Sequence, residues 1–176
     1  MRAELFNAFI VAAGKVLGSE TDMSVQRGSL ELHRDAYVTD DITVLISVVG
    51  DIWGIVIISL SFDTAKAVIS QMLGQEITEF SELAQSGIGE LGNVIVGQAS
   101  TRLAEAGYNT DISVPTLIVG KGSTISTLDI DRLVVPLETK LGTVRLNIAL
   151  RMAQLGQVSR PQQVPSMQMA IPNNTP

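Results

Sequence analysis

The chain contains no cysteine and a single histidine, His33. Disulfides and thiolate metal sites are therefore excluded, and a reducing compartment is allowed. With one histidine and no cysteine, the residues offer no Ser-His-Asp or Cys-His machine in its usual form. His33 also lacks a partner histidine or cysteine for a metal site, so a surface position on a short strand suits it better. No cluster of lysine or arginine stands out, and the net charge is −6, which argues against nucleic acid and anionic membrane surfaces as partners. The acidic residues never gather at the spacing of a calcium loop. No apolar run approaches the roughly 18 residues of a membrane span. Residues 5–17 are apolar, but Glu4, Asn7 and Lys15 and the lack of a small-residue cleavage site favour an amphipathic helix over a signal peptide. The cytoplasm is the expected location.

What is present suits a globular chain. Of its 176 residues, 45% are hydrophobic and 17% charged, enough apolar material for one proper core. Over residues 3–17, Leu5, Phe6, Phe9, Ile10, Ala13, Val16 and Leu17 recur at helical spacing, with Gly18 as the expected stop. Residues 24–33 alternate loosely and suggest a short strand. Residues 42–60 read as two β-branched strands around a Gly50–Asp51 turn. They are too uniformly apolar for a sheet with one wet face, so both faces should be covered. Trp53 reads as packing. Ser61 or Asp63 can cap a helix over roughly 63–73, closed by Gly74. A long helix should follow, ending at Gly107, and then an extended stretch after Pro115. Residues 130–150 form a second hairpin turning at Lys140, Leu141 and Gly142, in which Pro136 suggests an edge strand or a bulge. The single domain is expected to span 1–151. Residues 152–176 hold four of the six prolines and five glutamines, and read as a flexible extension.

The long helix carries the chemistry. At about 100° per residue, Ser86, Glu90, Asn93 and Gly97 stack on one polar stripe, spaced four, three and four apart. Ala84, Ile88, Leu91, Ile95, Ala99, Leu103 and Ala106 fall opposite and should face the core. Gly87, Gly89, Gly92 and Gly97 lie inside this helix, each costing roughly 1 kcal/mol relative to alanine. Gly97 sits on the polar stripe, where it would let another surface approach the backbone. Gly89 and Gly92 point more toward the core. The glycine-rich VGKGST at 119–124 fails as a phosphate loop, because Lys121 is followed by Gly122 rather than Ser or Thr. An exposed carboxylate and amide, with no nucleophile or metal beside them, suit docking on another protein and positioning a water there.

At these residues the chain resembles the CheC/CheX/FliY chemotaxis phosphatases. The pattern Ser86-x3-Glu90-x2-Asn93 with a later Pro115 matches the (Asp/Ser)-x3-Glu-x2-Asn…Pro signature of that family. SELAQSGIGELGNVIVGQASTRLAEAG, followed by DISVPTLIVG, is similar to its CheX-like members in particular. The order of first helix, hairpin-plus-helix and last hairpin extends the likeness over roughly residues 4–150. CheC-type chains carry two such motifs. Here Glu4-x-x-Asn7 has no residue four before Glu4, and Ser29 stands where the proline would fall, so the chain reads as CheX-like with one site.

The resemblance implies an α+β fold, with long helices packed on a mostly antiparallel sheet, and a homodimer joined through edge strands. It implies a phosphatase for the phospho-aspartate of a CheY-like response regulator. No cofactor of its own is implied, and the Mg2+ would be held by the partner. Asn93 would align the attacking water and Glu90 would pair with the regulator's active-site lysine. Ser86 and Gly97 would bound the docking face, with Pro115 as a structural part of the motif. Two other readings are a non-catalytic regulator-binding or flagellar-switch-like adaptor, and a small-ligand domain with a pocket between sheet and helices. The second would need convergent inward-facing polar groups, which the sequence does not show clearly.

Overall fold

A computed structural model describes residues 3–127 and 130–153. The remainder of the extension expected over 152–176 lies outside the described residues. Among these described residues three helices, α1 (Ala3–Thr21), α2 (Phe62–Leu73) and α3 (Glu82–Glu105), pack on an antiparallel sheet. At its centre are β4 (Ile42–Gly50), β5 (Ile52–Leu60), β9 (Arg132–Thr139) and β10 (Gly142–Met152), in the order β9-β10-β5-β4. The expected α+β fold and both expected hairpins are present. Short strands extend the two edges. β1 (Gln26–Arg27) and β2 (Glu31–His33) pair with β9, while β6 (Thr110–Ile112) and β7 (Thr116–Val119) pair with β4.

Alternation along the strands explains why both hairpins are apolar throughout. Val44, Ile46, Val56, Ile58, Val135, Leu146 and Ile148 join the helices in the core. The opposite face carries Thr43, Ile57, Ser59, Asn147 and Ala149, all buried as well. That face has its own cover in a two-stranded ribbon of β3 (Tyr37–Val38) and β8 (Thr124–Ile125). The Tyr37 hydroxyl lies 3.3 Å from Thr43 Oγ1, and the buried Arg132 guanidinium sits 5.3 Å from the Tyr37 ring centroid. Toward the Gly50–Asp51 turn the half-buried Trp53 is stacked by Arg151 at 3.8 Å, a packing role.

Local chemistry sets the helix ends: one of the two caps offered for α2 is used, while Gly18 and Ala106 depart from expectation. Ser61, not Asp63, caps α2: its Oγ accepts from Thr64 N–H at 3.1 Å, and Gly74 closes the helix at φ 65°. Asp63 instead pairs with Lys66 one turn on. α1 does not stop at Gly18. It continues to Thr21, whose hydroxyl donates back to Leu17 O at 2.6 Å, and ends where Asp22 takes φ 52°, a conformation aspartate tolerates better than most residues. The C-terminal Ala106 is exposed rather than core, because α3 has already reached its cap.

The proline and the glycine-rich loop also find structural roles. β9 is flanked on both sides, so Pro136 is not on an edge strand. The outer strand is instead interrupted opposite it: β1 ends at Arg27, β2 begins at Glu31, and Gly28 N–H donates to Pro136 O at 2.9 Å. A residue without an N–H needs only that gap. The 119–124 loop is a staple on the sheet edge. Gly120 N–H donates to Asp41 O at 2.7 Å, and Lys121 pairs with Asp41, whose other oxygen accepts from the first N–H of α2.

Gly54 is the tightest position in the central sheet. It has φ 149° inside β5, and a Cβ there would run into the Ala149 carbonyl of β10. Gly54→Ala is expected to cost about 3 kcal/mol or more of stability, read as a lowered urea midpoint.

Candidate functional site

α3 presents its two faces as the periodicity requires. Ala84, Ile88, Leu91, Ile95, Ala99 and Leu103 are buried, while Ser86 and Glu90 are exposed and Asn93 and Gly97 half-buried. Two glycines make this seating possible. A Cβ on Gly92 would lie 3.0 Å from Val44 Cγ1 of the sheet, and one on Gly87 would lie 2.8 Å from Ile69 Cδ1 of α2. Gly92 thus faces the core as expected. Gly89 does not: a Cβ there meets nothing within 4 Å, and the residue lines an open concavity on the outer side of the helix.

The concavity has a volume of about 370 Å³ and is bounded by Gln85, Ser86, Gly89 and Glu90 from α3 and by Pro115 and Leu117 from the sheet edge. Pro115 is far from Ser86 in sequence, and strand pairing brings it back. β7 runs along β4 with Thr116 opposite Leu45. Just before it, Ser113 exchanges hydrogen bonds with Ser47, N–H to O at 3.0 Å one way and N–H to Oγ at 3.0 Å the other. Ser86, Glu90 and Pro115 therefore share one concavity. Asn93 and Gly97 continue along the same stripe toward β6, where a Gly97 Cβ would lie 4.0 Å from Ile112 Cδ1.

Gln85, Gly89 and Leu117 complete the lining without having been singled out by sequence. Leu117 had a signal available, since a residue two beyond Pro115 on a strand lies on the same side.

Among the described residues, the side chains of Ser86, Glu90 and Asn93 enter no hydrogen bond or ion pair. An exposed carboxylate and a half-buried amide thus stand free on a rigid helix, able to accept from a cation or to orient a water. Glu4 and Asn7 are different. Glu4 accepts from the Tyr108 hydroxyl at 3.1 Å, and Asn7 borders a separate, mainly apolar groove with Phe6, Ile10 and Leu133. His33 lies on β2 between Glu31, at 2.9 Å, and Asp35, at 3.4 Å. Among the described residues no group of three or more histidines or acids could hold a metal ion, and no helix is long and apolar enough to cross a membrane.

Fold and site together define a CheC-like α+β protein. A solved CheC-like superfamily protein from Shewanella sp. PV-4 superposes with a TM-score of 0.78 at 26% identity, covering 86% of this chain and 99% of that one. A CheX–CheY–BeF3–Mg2+ complex from Borrelia burgdorferi matches with a TM-score of 0.72 at 26% identity, over 83% of this chain and 97% of that one. The CheY-P phosphatase CheX of Thermotoga maritima is 31% identical over 122 residues, 69% of this chain and 79% of that protein. The family model for the chemotaxis phosphatase CheX matches residues 42–138. The chain belongs to the CheX family of chemotaxis phosphatases.

The glycines of α3 separate by substitution. At Gly89, where a Cβ has open space, Gly89→Ala is expected to raise stability by about 0.5–1 kcal/mol through helix propensity alone. Gly87→Ala should give less, because Ile69 must first move. Urea unfolding of both variants distinguishes the two positions.

Proposed function

We propose that this chain hydrolyses the phospho-aspartate of a CheY-like receiver, with Asn93 and Glu90 as its working residues. The observation that carries the reading is the unpaired carboxylate and amide one helical turn apart on the outer face of α3. The names of the relatives support it: one is a CheY-P phosphatase, and another was solved as a complex with CheY, BeF3 and Mg2+.

An aspartyl phosphate is an acyl phosphate, already activated toward hydrolysis. A water oxygen attacks phosphorus in line, the bond from phosphorus to the aspartate oxygen breaks, and inorganic phosphate and a free carboxylate result. Little covalent work falls to the catalyst, so positioning and electrostatics suffice. Asn93 enters the receiver's active site and orients the water, accepting one of its protons in a hydrogen bond. Glu90 pairs with the receiver's active-site lysine and sets the register between the two proteins. Ser86 and Gly97 bound the docking face, and Pro115 shapes its strand side. The Mg2+ that neutralises the phosphoryl oxygens belongs to the receiver, and this chain contributes no cofactor. The reading treats 1–151 as one catalytic domain, cytoplasmic and homodimeric through edge strands, with 152–176 as an extension.

The test is the decay of a CheY-like receiver from the same organism, phosphorylated with acetyl phosphate in the presence of Mg2+. Wild type should accelerate it. Asn93→Ala should lose about 10²-fold or more of that acceleration, while Glu90→Ala should raise KM roughly tenfold. Binding without acceleration by wild type would make the chain an adaptor instead.

A further inference from the structure

The sheet face turned away from the helices is covered at one end only. Along β4 its side chains pass from buried Thr43 through half-buried Leu45 to exposed Ser47 and Val49, the last 51% exposed. Along β5, paired with it, they pass from buried Ser59 and Ile57 to half-buried Ile55 and Trp53. The helix face shows no such gradient, since Val48 and Ile52, flanking the same turn, are 1% and 0% exposed. The ribbon of β3 and β8 meets the sheet at the covered end, where Tyr37 lies against Thr43. Leu45, Val49, Trp53 and Ile55 remain as an apolar patch beside the Gly50–Asp51 turn. The chain returns to this patch at the end of β10. Arg151 pairs with Trp53, its guanidinium 3.8 Å from the indole centroid, and Ala153 N–H donates to Asp51 O at 2.8 Å.

We propose that residues 167–171 of this same chain fold back over the patch, setting Met167, Met169 and Ile171 on Leu45, Val49, Trp53 and Ile55. The sequence after Ala153 starts at the edge of the patch, and residues 154–166 supply ample length to turn back across it. Met167, Met169 and Ile171 alternate with Gln168 and Ala170, the period that puts three apolar side chains on one side of an extended segment. Pro172 restricts the backbone of Ile171 to extended conformations. From Met167 to Ile171 is the same four-residue step as from Leu45 to Val49, about 13 Å in either strand. Arg160 is the only charged residue over 154–176, so covering the patch buries no charge. Methionine, unbranched and adaptable, suits a sheet face with no ready-made pockets. Attachment through Ala153 holds the segment at an effective concentration on the order of millimolar, an advantage that a second copy of the chain lacks. The patch lies on the opposite face from α3, so this cover is separate from the Ser86–Glu90 concavity.

Trp53 is the only tryptophan in the chain, so its fluorescence reports this patch alone. The experiment is acrylamide quenching of the full 176-residue chain, as wild type, as the triple variant M167S/M169S/I171S, as Met169→Ser and as Gln168→Ser. Circular dichroism verifies the fold of each, and Met169→Ser carries the test if the triple variant does not fold. The triple variant should raise the quenching constant about twofold or more as the indole loses its cover, with emission moved to longer wavelength. Met169→Ser should shift both readings in the same direction, and Gln168→Ser, on the other side of the segment, should leave them unchanged. Wild-type quenching in both methionine variants overturns the proposal, as does an equal rise with Gln168→Ser. Wild-type quenching that increases on dilution identifies a second copy as the cover and overturns it as well.

Discussion

Gly92 lets α3 lie so close to the sheet that a Cβ there would come within 3.0 Å of Val44, and the orientation of the site follows from that seating. A helix can turn about its axis to bury any apolar stripe. Here Ala84, Ile88, Leu91, Ile95, Ala99 and Leu103 are all buried, and each of the larger ones contributes about 1.5–3 kcal/mol by leaving water. Rotating α3 by even one residue, about 100°, would expose most of that stripe and drive Glu90 toward the sheet. Glycines at 87 and 92 weaken the helix locally by about 1 kcal/mol each. In exchange they fix its depth against Ile69 and Val44. The result is a carboxylate and an amide aimed outward by the core itself.

The strand side of the site depends on a second constraint, the edge of β4. β6 and β7 both pair with β4, and between them the chain turns through Ser113, Val114 and Pro115. The Asp51 turn reinforces this edge: its N–H donates to Asn109 O and its Oδ2 accepts from Asn109 N–H, tying the hairpin to the end of α3. One hairpin therefore supplies the floor under α3, anchors its C-terminal loop and positions the strand facing it. A shift in the β4 register by one residue would reverse every side chain on that edge.

The sequence made the helix faces legible because a 3.6-residue period is local and strong over residues 84–103. The two hairpins were legible for a similar reason, as β-branched runs interrupted by glycine. What was not legible depends on contacts between distant segments. Gly89 looked core-facing from helical angle alone, yet the sheet lies nearer the side of Gly92. Gly18 looked like a stop, but nothing after it pulls the chain away until Asp22. Pro136 announced an irregularity without showing that the break belongs to the outer strand, at Gly28. The ribbon of β3 and β8 was legible only as a requirement that something cover the second sheet face, because two-residue strands carry no periodicity of their own.

On the proposed reading, the site is incomplete by construction. Glu90 is hydrated and inert until a cation arrives, and Asn93 has nothing to orient until an acyl phosphate docks opposite it. Both gain their roles in the same docking event, so affinity and catalysis share one geometry. That geometry must be accurate, since in-line attack tolerates little misplacement of the water. A long helix bolted to a sheet meets this demand better than a loop would, because its side chains inherit the rigidity of the core. A chain without cysteine, whose one histidine lies on the other edge of the sheet, is then chemically sufficient. A catalyst whose substrate arrives activated, with its own metal and its own lysine, has to supply position and little else.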